Sequence, residues 1–455
     1  MKSDDVEKLV ATAKKYVWPT FARDASFFGR PASIIKSAEG RHFVDIFGNR
    51  LLEPNSSSGS SPLGYNLPEL MKAVSEQMDR IINTTPLFAP TEPIVRLAEK
   101  IARISPGDLR YTIFSCNGTD ANEAAVKIAR HYWKIMGKAG KYKVFHRYPG
   151  DYHGTSLGMA SASSHAVRRL AFEPLMAGFI AFHAPHCYRC PYNLTHPECA
   201  LLCAEEFRKV VEFEDPSTIA CLITESTNTG LGMVLPPPGY MTRIREICDQ
   251  YEILMILDEV ITGFGKTGVW FECEKYDVVP DILTMGKGIV WGCGPLAGTL
   301  AKGSITEVFT GADALRHGYT FGGLGYLAAA SLAGINYVEE HNLLARVSQI
   351  GGIMSRELSA IKERSKVIGD VRVNGVLAGV EFVRNKDTKE LFTDRAAVSD
   401  LIVKVGMENG VLLPCAHGYG DILTLIVQMT MTDDELGMVF NAIEKAVTEV
   451  ERQFL

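Results

Sequence analysis

Long apolar runs are missing from this chain. The densest, such as Ile253 to Leu257, are far too short to cross a bilayer, so no membrane association is expected. A surplus of positive charge is missing too. Lysine and arginine together number 47 against 53 acidic residues, a net charge of −6, so no basic field draws in a polyanion and nucleic acid is not an expected partner. Cysteine is too sparse for a disulfide scaffold, with 10 in 455 residues, and most should be reduced thiols. The chain has no internal repeat, and its one low-complexity tract is the serine run Ser56-Ser-Ser-Gly-Ser-Ser61. The opening MKSDDVEKLV is of mixed charge, which reads as cytoplasmic. What is present, 46% hydrophobic and 22% charged residues over this length, describes a soluble protein of two or three packed domains.

Residues 4 to 16 read as an amphipathic helix, and Arg41 to Asn49 as a short hairpin region turning at Gly48-Asn49. From about residue 66 the pattern changes to compact β-branched runs alternating with helical stretches. Candidate strands are Tyr111–Phe114, Lys143–Phe145, Ile219–Thr224, Ile253–Leu257 and Ile282–Met285, and their near-continuous apolar character suits a parallel sheet covered on both faces. A long helical stretch through Glu340 follows, then strands at Val367–Asp370 and Leu377–Phe382 and a closing helix from Asp433 to Arg452. The expected division is an N-terminal segment 1–65 that packs with the small domain, a large domain 66–325 and a small α+β domain 326–455.

Three segments carry chemistry. Ser115-Cys-Asn-Gly-Thr-Asp-Ala-Asn-Glu123 joins a strand to a helix whose apolar positions Ala124, Ala125, Ile128, Ala129 and Tyr132 recur at helical spacing. With Gly118 and Thr119 at the turn, the free N–H groups of a helix N-terminus can hold a phosphate; an ordinary N-capped turn fits as well. Leu254-Met-Ile-Leu-Asp-Glu-Val260 sets Asp258 at the end of a buried strand, where open α/β sheets bind ligands, or where a strand-end cap would sit. Asp281-Ile-Leu-Thr-Met-Gly-Lys-Gly288 sets Lys287 between two glycines just past another strand, either a surface turn or an amine that must reach inward. A phosphate cup, an acid to keep a pyridine protonated and an imine-forming lysine are together what pyridoxal 5′-phosphate requires.

With Tyr152-His-Gly154, Asp258-Glu-Val-Ile-Thr-Gly-Phe-Gly-Lys-Thr-Gly268, Pro280-Asp-Ile-Leu-Thr-Met-Gly-Lys-Gly288 and Thr320-Phe-Gly-Gly323 added in order, the sequence resembles the class III (ω-type) pyridoxal phosphate-dependent aminotransferases of fold type I over nearly its whole length. The resemblance implies a large domain with a mostly parallel seven-stranded sheet flanked by helices, plus a small α+β domain. It implies Lys287 bonded to the cofactor's aldehyde, Asp258 paired with the ring nitrogen, Val260 on one ring face and Tyr152 on the other. Gly118 and Thr119 would meet the phosphate, and Glu225 would lie near the ring hydroxyl. It further implies a homodimer, or a tetramer, with shared active sites, in which Thr320 reaches the partner subunit's phosphate. His153 reads as structural support rather than a catalytic group. The expected reaction moves an amino group from a primary amine or ω-amino acid to a 2-oxo acid, pyruvate foremost, by a ping-pong sequence. Racemisation on the same scaffold is the alternative.

The chain departs from the family pattern in several places. Lys266 stands where arginine is usual. His417 occupies the place where many relatives carry an arginine that clamps a substrate carboxylate, and imidazole cannot form that two-pronged contact. Gly59 replaces a bulky pocket-wall aromatic, while Phe27 and Phe28 could supply an apolar wall or belong to the core. Cys187, Cys190, Cys199 and Cys203 have spacing compatible with zinc, but a thiol-lined or locally disulfide-bonded loop is the preferred reading, with no metal expected at the catalytic residues.

Overall fold

In the large sheet the strands Ile219–Thr224, Leu254–Asp258 and Ile282–Met285 have every residue buried. Runs that are apolar throughout need cover on both faces, and they form the middle of a seven-stranded sheet. The computed structural model describes residues 3–22, 24–85, 88–415 and 421–455. Numbered along the chain, an N-terminal meander contains β1 (Ile35–Glu39), β2 (His42–Asp45) and β3 (Arg50–Leu52). The large sheet contains β4 (Leu109–Ser115), β5 (Lys143–Tyr148), β6 (Phe179–His183), β7 (Ile219–Thr224), β8 (Leu254–Asp258), β9 (Ile282–Met285) and β10 (Ala297–Lys302). Its order is β4-β10-β9-β8-β7-β5-β6. Strands β5 to β9 pair in parallel, whereas β10 runs antiparallel to both neighbours. Being antiparallel to β10, β4 points the same way as β5 to β9. The C-terminal ends of six strands therefore share one edge, where ligands of such sheets bind.

The helix Gly118–Ile135 leaves β4 at that edge and packs back across the sheet through Ala121, Ala124, Ala125, Ile128 and Ala129, all buried. Small side chains bring its axis close to the strands, and the Trp133 indole N–H closes the far end on the Ala220 carbonyl at 2.8 Å. Tyr132, expected on that face, is only half-buried; Trp133 takes the inner position.

The chain divides into two compact units, Pro68–Gly351 and Met1–Leu67 with Gly352–Leu455. The first holds the sheet and also the helix Gly325–Glu340, which packs on the helices Pro68–Arg80 and Glu92–Ile104. That helix stays with the sheet because Gly334 leaves room for buried Trp291: a Cβ there would stand 2.0 Å from its Nε1. The second unit holds the meander, the antiparallel sheet of β11 (Ile368–Asn374), β12 (Leu377–Phe382) and β13 (Ile422–Ile426), and the helices Arg395–Glu408 and Asp433–Phe454. β3 is tied into this unit by Leu52 N–H to Gly410 O at 2.9 Å and Leu412 N–H to Leu52 O at 2.8 Å. The serine run, Gly59, Phe27 and Phe28 all belong to this unit, Phe28 being buried edge-on to Phe27. His417 lies outside the described residues.

At the opposite edge of the sheet, Lys141 is buried and its ammonium donates to the carbonyls of Pro216, Ile219, Tyr251 and Glu252 at 2.9 to 3.3 Å. Lys141→Met keeps the apolar stem and strips these carbonyls of a charged donor, so a loss of about 3 kcal/mol is expected, read as a lower urea midpoint at unchanged slope. An unshifted midpoint would refute the amine's part in joining these chain ends.

Candidate active site

Asp258 ends β8 and is almost fully buried, so its charge has to be met locally. The Val260 N–H donates to its Oδ1 at 3.0 Å, and the Asn122 amide donates to its Oδ2 at 2.7 Å. Asn122 comes from the helix after β4 and is itself oriented by the Thr284 hydroxyl of β9, 2.6 Å from its Oδ1. The His153 Nδ1 lies 2.8 Å from Asp258 Oδ2, and its Nε2 faces Asp151 Oδ2 at 3.7 Å. Burial pulls the His153 pKa down, but the Asp151 and Asp258 carboxylates outweigh it and hold it at about 10. The ring is therefore an imidazolium at neutral pH, donating to Asp258. Burial pushes the Asp151 carboxyl up, yet Arg147 and His153 keep it well below the usual carboxylate range. Arg147 grips Asp151 through Nη2 at 2.8 Å and donates to the Glu225 carbonyl at 2.6 Å.

Glu225 follows β7 directly. Burial and the charges of Asp151 and Asp258 raise its pKa to about 8, so it carries its proton at neutral pH. Its carboxyl meets the Thr229 hydroxyl, and the Tyr152 N–H donates to it at 3.4 Å. Lys287 follows β9 at φ +45°, a left-handed conformation that costs a side-chain-bearing residue energy and marks functional turns. Burial and the Arg168 charge lower its pKa, Glu225 and Asp258 oppose them, and the balance is about 8.

Around these groups the backbone is stripped where chains approach. A Cβ on Gly118 would meet Val260 methyls at 2.9 Å, and one on Gly286 would meet Val260 at 3.2 Å. Gly154 admits Thr119 in the same way, since a Cβ there would stand 2.5 Å from the Thr119 hydroxyl. Asn117 caps the helix by accepting from Asp120 N–H at 3.0 Å, with Gly118 and Thr119 in its first turn. Thus Gly118, Thr119, Tyr152, Glu225, Asp258, Val260 and Lys287 come from one edge of one unit, whereas Thr320 is exposed, next to Tyr319, whose hydroxyl reaches the Asp120 carbonyl at 2.8 Å.

Sequence reasoning missed Asn122, Asp151 and Arg168. The Arg168 guanidinium stands 4.5 Å from the centre of the Tyr152 ring, a cation–π contact that no local pattern signals. Asp151 lies just ahead of Tyr152-His-Gly154 and could have been flagged as a strand-end acid like Asp258. Among the described residues no group of three or more His, Cys, Asp or Glu side chains is gathered to hold a metal ion, and Cys187, Cys190, Cys199 and Cys203 are free thiols.

Because the folded-state pKa of His153 exceeds the ordinary 6.5, its charge stabilises the fold fully below pH 6.5 and progressively less as pH rises to about 10. Replacing it with phenylalanine leaves buried Asp258 without its cation and Asp151 with Arg147 alone. The stability gap between His153→Phe and the parent should be about 3 kcal/mol near pH 6 and shrink at higher pH; urea titrations at stepped pH measure it, and a pH-independent gap would rule out the imidazolium.

A family model described as class-III aminotransferase matches residues 28–447. A taurine–pyruvate aminotransferase of Bilophila wadsworthia is 33% identical over 466 residues, spanning 99% of each chain. A Bacillus anthracis aminotransferase of known structure superposes with a TM-score of 0.93 at 33% identity, covering 99% of this chain and 100% of that one. An amine transaminase from an uncultivated Pseudomonas species, solved in PLP-bound form, superposes with a TM-score of 0.90 at 29% identity over 96% and 98% of the two chains. With the mixed sheet of fold type I and a match that runs through both of its units, this chain belongs to the class III aminotransferases.

Proposed function

We propose that this enzyme uses pyridoxal 5′-phosphate to move an amino group from a primary amine or ω-amino acid to a 2-oxo acid, with pyruvate as the first acceptor to try, in two half-reactions of ping-pong type. One observation carries the reading: a lysine amine of lowered proton affinity shares a strand edge with a fixed aspartate, a protonated glutamate and a glycine-lined helix N-terminus. The residues fit the cofactor. Gly118 and Gly286 let the Val260 side chain pack against both turns, and the donor set offers an anion, an amine and free N–H groups. Pyridoxal phosphate, when bound, supplies an aldehyde to carry the amino group and a cationic ring that acidifies the neighbouring C–H bond.

In this reading Gly118 and Thr119 hold the phosphate, and Val260 and Tyr152 wall the two ring faces. Asp258, held in place by the His153 and Asn122 donors, would pair with the ring nitrogen, and protonated Glu225 would donate toward the ring hydroxyl. Lys287 would hold the cofactor through its amine until the substrate amine displaces it. The freed Nζ, part of it unprotonated near neutral pH, would then take the proton from the substrate carbon and deliver it to the cofactor's aldehyde carbon. Arg168 sets a positive charge over Tyr152, the sign that an acid's carboxylate needs. The taurine–pyruvate aminotransferase likeness supports pyruvate as acceptor. Exposed Thr320 suits a homodimer in which it meets the partner subunit's phosphate.

Lys287→Ala is expected to fold, to lose the visible absorbance of the cofactor-loaded protein and to lower transfer roughly a thousandfold or more; near-normal turnover would end the reading. An amine-donor panel with pyruvate and 2-oxoglutarate, scored by stoichiometric amino acid product and parallel double-reciprocal plots, tests the transfer itself. Arg168→Gln should raise KM for the 2-oxo acid about tenfold and leave KM for an uncharged amine nearly unchanged, as loss of a charged contact predicts. An equal rise for both would deny Arg168 a role in binding the acid.

A further inference from the structure

Lys266 has no solvent exposure and lies outside the group of residues described above. A fully buried lysine normally answers to a carboxylate, because desolvating an ammonium is costly. Here the amine donates instead to the Gly263 carbonyl at 2.6 Å. It also occupies the space in front of Gly288: a Cβ on that glycine would stand 2.5 Å from Lys266 Nζ. Gly288 is the residue after Lys287, so the amine of one lysine lies against the backbone that carries the other. The loop holding it starts at Asp258 and Glu259 and contains Phe264 and Gly265 at φ +61° and +87°. Lys266 thus joins the chain leaving β8 to the turn leaving β9.

We propose that Lys266 is a positioning residue for Lys287: its buried amine ties the Gly263 carbonyl to the Lys287–Gly288 turn and sets a positive charge behind the Lys287 side chain. The groups facing the pair can be named. Glu259, the acid whose charge acts on Lys266, is occupied by the N–H groups of Glu272 and Cys273 at 2.7 and 2.8 Å and the Thr262 hydroxyl at 2.8 Å, and Glu272 is buried too. Lys287 faces Glu225 and Asp258, with the Arg168 charge also acting on it. Burial and the Lys287 charge lower the Lys266 pKa, Glu259 opposes them, and the result is about 7. Lys266 therefore changes charge across the working range, which a guanidinium in its place would not do.

The inference rests on Lys287 being the cofactor-bonded lysine, and the test separates the two. Lys266→Met, Lys266→Arg and the parent are loaded with pyridoxal phosphate, and the pH midpoint of the visible absorbance band is measured, with thermal melting recorded alongside. Making the cation permanent should move the midpoint down by about half a pH unit, and removing it should move the midpoint up by less, because Lys266 in the parent is already mostly uncharged above pH 7. The expected order is Met above parent above Arg. Equal midpoints, or the reverse order, overturn the proposal even if Lys266→Met melts earlier, since a packing role alone would change melting and not titration. If Lys266→Met does not fold, Arg against parent decides: a lower midpoint supports the proposal and an equal or higher one overturns it. A visible band that survives in Lys287→Ala would instead sink the underlying assignment.

Discussion

The imidazolium of His153, held between the carboxylates of Asp151 and Asp258, is the interaction on which the arrangement of this site depends. Each of the three groups is buried, and none could be charged there alone at an acceptable free energy. Together with Arg147 they form a line of alternating charge, in which Arg147 and His153 keep Asp151 ionised and the two carboxylates keep His153 protonated. The line joins chain segments that leave different strands: Arg147, Asp151 and His153 come from β5 and its exit, Asp258 from β8, and Asn122 and Thr284 brace the aspartate from the helix after β4 and from β9. An anion at the end of β8 is thereby fixed in place, not merely present.

Fixing that negative charge decides what the neighbouring groups can be. Glu225 lies in the field of Asp151 and Asp258 and keeps its proton, so it is a donor where a surface glutamate would be an acceptor. Lys287 experiences the opposite mixture, with burial and Arg168 on one side and two acids on the other, and its amine settles near the working pH. Similar residue types thus take unlike protonation states within one strand edge, which is how a single site can hold both an acid and a base.

Much of this architecture was readable from residue patterns. The strands Ile219–Thr224, Ile282–Met285 and Leu377–Phe382 match their sequence reading to the residue, because a short, mainly apolar run between turn residues has few other uses. β10 was not readable residue by residue: Ala297-Gly-Thr-Leu-Ala-Lys302 lacks the β-branched density of its neighbours and is a strand because it fills the gap between β4 and β9. β6 is an edge strand, only partly buried, and its signal is correspondingly weak. The helix Gly325–Glu340 was legible as a helix, but its attachment to the sheet-bearing unit depends on a glycine facing a buried tryptophan 43 residues earlier, at Gly334 and Trp291.

The linear chain by itself determined which residues can do chemistry: an acid, an amine and a stripped turn placed just past apolar strands, as at Asp258, Lys287 and Gly118, identify themselves because strand ends in a wrapped parallel sheet open onto one edge. It could not say what charge those residues carry. His153 reaches Asp258 across 105 positions and Asn122 reaches it across 136, and Arg168 meets Tyr152 through a ring face. Protonation depends on the distance to every neighbouring charge and on the exclusion of water, and both exist only after the chain has folded.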